Sequence, residues 1–413
     1  MYMNYDEFIE NKKVKIVYSG IEVSKSNLNS MLFDFQKDIV KWALHKGKAC
    51  IFADCGLGKS PMQLEWANQV CNYTNSNVLI LAPLAVSKQT QREGDKFGIN
   101  VNVCRSHNDV TDGINITNYE MLHKFDLDSF AGVVLDESSI LKSFSGKIRN
   151  QIIDAFKDVE YKLACTATPA PNDFMELGNH SEFVDVMDRN SMLSTFFVHD
   201  GGETSKWRLK KHAENKYWEW LSTWAVVIQK PSDLGYDDKG FRLKDINVIE
   251  NIIDTPRKSN ELVVMPAKTL SERRKVRKES LNERVKKVAD LVNNSDEQWL
   301  VWCDFNIESE MLGREIEDSV EVRGSTKPDI KSKYMLGFSN GDYRVLVTKP
   351  SIAGFGMNWQ NCHNMAFCGI SDSYEQYYQA VRRCWRFGQA NNVNVHIVIS
   401  DREVESLKNI QSK

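Results

Sequence analysis

The sequence predicts an α/β protein of two lobes, each a mainly parallel sheet flanked by helices, with a helical insertion between them. Three observations carry this. Short, nearly continuous apolar runs alternate with longer amphipathic ones, as strands of a parallel sheet covered on both faces do. The alternation occurs in each half of the chain, which implies two lobes of similar build. Between about 186 and 280 it breaks into a tryptophan-rich stretch, the turn-rich "KPSDLGYDDKG" and the charged "SERRKVRKESLNERVKK".

In the first half the apolar runs are "ACIFA" (49–53), "NVLILAP" (77–83), "GVVLDE" (132–137) and "YKLACTAT" (161–168). In the second they are "QWLVWC" (298–303), "YRVLVTK" (343–349), "NMAFCG" (364–369) and "NVNVHIVIS" (392–400). The expected organisation is an N-terminal extension over 1–30, lobe one over 31–185, the insertion and connection over 186–280, and lobe two over 281–413. Within the insertion, Tyr217, Trp220, Leu221, Trp224 and Ile228 recur at helical spacing, which reads as a packed stripe in preference to a base-stacking surface. The basic run is interrupted by Glu272, Glu279 and Glu283, so phosphate contact and a solvated helix both stay open.

A chain of 413 residues, 42% hydrophobic and 26% charged, has room for two or three domains with sizeable cores. The net charge of −3 excludes a protein that coats nucleic acid by bulk charge and leaves only a local basic track. The first twenty residues lack a signal-peptide core, and no run approaches the roughly 18 apolar residues of a membrane span. A cytoplasmic protein without a membrane partner is expected. The nine cysteines form no Cys-x-x-Cys pair, and "CHNMAFC" (362–368) reads as buried thiols around a strand rather than a zinc site.

"ADCGLGKS" (53–60) follows an apolar run and precedes a helix-like one, the context of a phosphate loop. Gly56 and Gly58 let backbone N–H groups turn toward phosphates, Lys59 reaches the β/γ oxygens, and Ser60 offers a hydroxyl to Mg²⁺. Asp136 and Glu137 end a buried strand, where open α/β sheets gather ligands. Asp136 is expected to hold the Mg²⁺ shell and Glu137 to orient or deprotonate the attacking water. Thr166 and Thr168 end the next strand with hydroxyls able to relay the state of the nucleotide site. Near the C-terminus, "YEQYYQAVRRCWRFGQ" (374–389) read as one helix places Gln379, Arg383 and Arg386 within about 60° of one another. Such a stripe is either a γ-phosphate clamp or a solvated basic face.

In this order the motifs resemble those of superfamily two helicase-like ATPases, within them the Swi/Snf-type translocases, and most the compact bacteriophage forms. The resemblance runs from about Phe33 to Gln389 through "LFDFQKDIVKWAL", "LILAPLAVSKQTQREGDKF", "ITNYEML", "LDES", "TATPAPND" and "QAVRRCWRFGQ". It implies that Phe35 and Gln36 form the aromatic-Gln adenine-reading motif, and that Arg383 and Arg386 are arginine fingers beside Gln379, Gly388 and Gln389. "TKPSIAGFGMNWQ" is similar to the lobe-two glycine motif through Gly354, Gly356 and Asn358. Two departures stand out. Ser139 occupies a place where the family often has His, and Thr348 lies two residues farther from Asn358 than in chromatin-remodelling relatives and is not carried over.

The resemblance implies two RecA-like lobes that bind Mg²⁺ and ATP and walk along one strand of duplex DNA as ATP is hydrolysed. A monomeric motor core follows as an expectation, with double-stranded or forked DNA as the track and a replication or recombination protein as a possible partner. A strand-separating or branch-remodelling helicase, and a nucleotide-switched binding module with slow hydrolysis, remain as rivals.

Overall fold

Apolar runs flanked by amphipathic segments fold into strands covered by helices, and the chain does this twice, dividing into units Met1–Asp238 and Lys239–Lys413. The computed structural model describes residues 20–83, 86–142, 146–171, 173–200, 203–255, 267, 269–353 and 357–411. Most of the expected N-terminal extension, and both Gly354 and Gly356, lie outside the described residues.

The first unit contains β1 (Lys48–Ala53), β2 (Asn77–Ala82), β3 (Val101–Val103), β4 (Ile114–Asn118), β5 (Phe130–Asp136), β6 (Tyr161–Thr166), β7 (Phe197–Asp200), β8 (Glu203–Leu209) and β9 (Ala225–Ile228). Seven of these form one sheet in the order β3-β4-β2-β5-β6-β1-β9, every pairing parallel. β7 and β8 make a separate antiparallel hairpin. β1, β5 and β6 are neighbours in the middle of the sheet, so the loops leaving their C-terminal ends emerge side by side.

The second unit contains β10 (Ile246–Ile253), β11 (Trp299–Cys303), β12 (Ser319–Val322), β13 (Val345–Thr348), β14 (Asn364–Cys368) and β15 (Val393–Ser400). They form a six-stranded parallel sheet in the order β10-β15-β14-β11-β13-β12. Successive residues of β11 serve opposite faces, as the strand period of two demands. Leu300 and Trp302 join one apolar cluster, and Trp299, Val301 and Cys303 join the other.

The expected helical insertion is corrected by this topology. Ala225 to Ile228 pair with Cys50 to Ala53 and extend the first sheet, while Ile246 to Ile253 pair with Val393 to Ser400 and extend the second. The described residues of 186–280 are divided between the two units, with the boundary after Asp238. The aromatic stripe is packed as expected, but as a helix followed by a strand: the Glu214–Ser222 helix buries Tyr217 and Leu221, and Trp224 and Ile228 are buried beyond it. Trp224 meets Phe52 edge to face at 6.2 Å, which ties the stripe to the strand that feeds the phosphate loop.

The reading as a solvated helix fails for Arg277 and Arg284, which are buried, while Arg273 is half-buried and Arg274 is exposed. Arg277 pairs with Asp304 and Asp372, both at 2.8 Å, and Arg273 pairs with Asp372 at 2.7 Å. Arg284 and Glu308 form an ion pair at 2.7 Å with both side chains fully buried. Arg284 also donates to the Cys368 carbonyl at 2.6 Å, fixing the end of β14. Carboxylates from distant strand ends draw these arginines inward, which periodicity along the run could not reveal.

Candidate nucleotide site

The turn after β1 is shaped by glycines with positive φ, +92° at Gly56 and +79° at Gly58. At Gly58 a Cβ would also collide with the Gln36 amide, so only glycine fits there. The Lys59–Thr74 helix starts directly after it, with its first N–H groups turned toward the loop. Lys59 arches back, its Nζ donating to the carbonyls of Ala53 at 2.8 Å and Asp54 at 3.3 Å. Ser60 occupies the first turn of the same helix and is half-buried.

Gln36 and Phe35 are both turned into the protein. Gln36 is buried; its Oε1 accepts from Phe33 N at 3.0 Å and its Nε2 donates to the Leu57 carbonyl at 2.9 Å. It ties the N-terminus of the Asp34–Lys46 helix to the phosphate loop. The Phe35 ring is buried and packed between Phe33 and Tyr236, at 6.2 and 6.3 Å. The exposed ring of the pair is Phe33, which caps the helix from an extended conformation.

Asp136 and Glu137 stand at the end of β5. Burial lifts the Asp136 carboxyl to about 6, the Glu137 charge adds to this, and the Gln63 amide and the Lys59 charge oppose it. The Tyr119 hydroxyl donates to the Asp136 carbonyl at 2.8 Å, giving the "ITNYEML" tyrosine a place in the site. Glu137 adopts a left-handed backbone conformation, φ +58°, which a residue with a Cβ takes up only where its surroundings hold it. What holds it is visible. Its Oε1 accepts from Thr166 Oγ1 at 2.6 Å and from Ser139 Oγ at 3.2 Å, and Thr166 Oγ1 in turn accepts from Thr168 N at 3.1 Å. Behind this group Ser138 Oγ lies 3.1 Å from His180 Nε2, and burial pushes the imidazole down to about 4, so it packs as a neutral ring against Phe52.

The donors gathered here are carboxylate and hydroxyl oxygens, which suit a small, hard divalent cation rather than zinc. A buried carboxylate whose ionisation is disfavoured, beside an amide that completes no hydrogen bond of ordinary geometry, also fits a cation that would hold Asp136 ionised. Among the described residues, no group of three or more His, Cys, Asp and Glu side chains could hold a metal. Cys362 Sγ donates to the carbonyls of Gln298 and Asn364, as a packed thiol does.

In the second unit the expected single helix is corrected. The Tyr374–Val381 helix ends before the arginines, and Arg382 to Gly388 run through turns. The cause is Arg383. Its side-chain Nε donates to the Gln379 carbonyl at 2.9 Å, the acceptor its own backbone N–H would use in a continuing helix, and that N–H moves to Ala380 O at 3.2 Å. The rest of its guanidinium donates to Met357 O at 3.0 Å and Gln379 Oε1 at 2.9 Å, leaving Arg383 and Gln379 buried. Gln389 is buried too, donating to the carbonyls of Cys362 at 2.9 Å and Cys384 at 3.2 Å. Arg382 lies over the rings of Tyr378 and Trp385, at 5.7 and 5.0 Å. Arg386 differs from all of these in being half-buried. Thr348, buried in β13, donates to Val322 O at 3.0 Å.

Residues 283–388, which include the arginine segment, match the family described as Helicase conserved C-terminal domain. Among solved structures, the DUF1998 helicase MrfA bound to DNA is similar at a TM-score of 0.60 and 12% identity, over 92% of this chain and 48% of MrfA. The SWI2/SNF2 ATPase core of Sulfolobus solfataricus in complex with dsDNA aligns at a TM-score of 0.46 and 17% identity, over 94% of this chain and 93% of that one. No curated protein sequence matches the chain. The likeness to MrfA gives the two parallel sheets their fold class, RecA-like lobes. Among the described residues, no helix is long and apolar enough to cross a membrane.

Proposed function

We propose that the chain is a Mg²⁺-dependent, DNA-stimulated ATPase that translocates on double-stranded DNA, a Swi/Snf-type motor of the compact bacteriophage kind. The observation that carries this reading is Glu137, held in a left-handed conformation by two hydroxyls next to Asp136. A structure that only binds nucleotide has no use for a second carboxylate fixed in this way. The helicase-family match over 283–388 and the likeness to a helicase bound to DNA support the choice of DNA as the track.

The N–H groups around Gly56 and Gly58 cradle the phosphates, and Lys59 leaves the Ala53 and Asp54 carbonyls to meet the β/γ oxygens. Ser60 and Asp136 would hold Mg²⁺, which would neutralise charge on the β- and γ-phosphates. Glu137, with Oε1 fixed by Thr166 and Ser139, orients the attacking water and accepts its proton. Arg386 acts as the arginine finger, and Arg383 fixes the segment that carries it.

Movement is tested by displacement of a third strand from a triplex placed ahead of the motor on duplex DNA. The proposal expects ATP-dependent displacement without separation of the duplex. Unwinding of a forked duplex with no triplex displacement would replace the translocase with a strand-separating helicase.

A further inference from the structure

One polar side chain in the phosphate-loop helix has no task in the account above. Gln63 lies four residues after Lys59 and three after Ser60, on the same helical face and one turn deeper. It is fully buried, between Met62 and Leu64, which are buried as well. Other buried glutamines of this chain are satisfied at both ends of their amides: Gln36 by Phe33 N and Leu57 O, Gln389 by two carbonyls and Asn391 N. Neither Oε1 nor Nε2 of Gln63 completes a hydrogen bond of ordinary geometry with protein. The helix that carries it packs against β5, whose last residue is Asp136. An amide suits this position because it donates to a carboxylate from one end and accepts from a water at the other.

We infer that Gln63 is a positioning residue of the metal site: Nε2 holds the Asp136 carboxylate and Oε1 accepts from a water on the bound divalent cation. This rests on the reading of Ser60 and Asp136 as the Mg²⁺ site. Outer partners of this type orient the ligand and commonly control metal affinity by ten- to a hundredfold. The side chain itself touches neither nucleotide nor attacking water.

The test uses the full chain with ADP and follows Mn²⁺ binding by electron paramagnetic resonance in wild type, Asp136→Asn and Gln63→Met. Wild type is expected to bind Mn²⁺, Asp136→Asn to lose it, and Gln63→Met to weaken it by about tenfold or more. Metal-free ADP affinity and melting temperature should stay at the wild-type values in Gln63→Met. A lower melting temperature with unchanged Mn²⁺ affinity would make Gln63 a packing residue and overturn the inference, while the loss in Asp136→Asn would leave the site reading standing. Failure of wild type to bind Mn²⁺ with ADP would overturn both. Should Gln63→Met not fold, Gln63→Asn, which draws the amide back by one methylene, is judged by the same criterion.

Discussion

Arg386→Ala is expected to lower DNA-stimulated ATP turnover by about 10³-fold or more while leaving ATP binding in place. An arginine that meets charge developing on a transferred phosphoryl group contributes in the transition state and little before it, so the loss falls on kcat. The structure separates Arg386 from its neighbours: Arg382 is covered by two rings, and Arg383 gives Nε, Nη1 and Nη2 to Gln379 and Met357. Arg383→Ala should therefore act differently, lowering the melting temperature because it strips partners from the Met357 carbonyl and the Gln379 amide. Steady-state hydrolysis, binding of a fluorescent ATP analogue and thermal unfolding of both variants check this. Unchanged turnover in Arg386→Ala would remove it from the mechanism.

Glu137→Gln should reduce turnover by about 10²- to 10⁴-fold with nucleotide affinity retained. The amide keeps an oxygen to accept from Thr166 and Ser139, so the local structure survives, but it has no basic oxygen to take a proton from water. Thr166→Val gives the complementary case. The carboxylate remains but loses its shorter restraint, 2.6 Å, and the expected loss is smaller than that of Glu137→Gln. A Glu137→Gln protein that hydrolyses ATP at the wild-type rate would show that Glu137 is held in place for another reason.

How much of this was legible in the sequence depended on how local each feature is. Central strands such as "NVLILAP" and "YKLACTAT" are apolar at nearly every position because both faces are covered, and they read directly. β10 did not. It is an edge strand with Val248, Ile249 and Ile252 exposed and Glu250 and Asn251 among them, so no continuous run marks it. The phosphate loop and the Asp136–Glu137 pair are contiguous motifs and stood out. The residues that govern them come from elsewhere in the chain: Thr166 from the end of β6, Tyr119 from beyond β4, Gln63 from inside a helix otherwise given to packing. Gln63 left one signal, a polar residue in the buried stretch "PMQLEWA". The arginine stripe misled because helical spacing presumes a helix, and Arg383 ends that helix by taking the carbonyl its continuation needs.

Steady-state ATP hydrolysis tests the central claim most directly, measured without nucleic acid and with duplex, single-stranded and forked DNA and RNA, beside Lys59→Ala. The account predicts strong stimulation by duplex DNA that Lys59→Ala abolishes. A rate that stays flat across all five conditions would contradict it and return the phosphate loop to a nucleotide-controlled binding module.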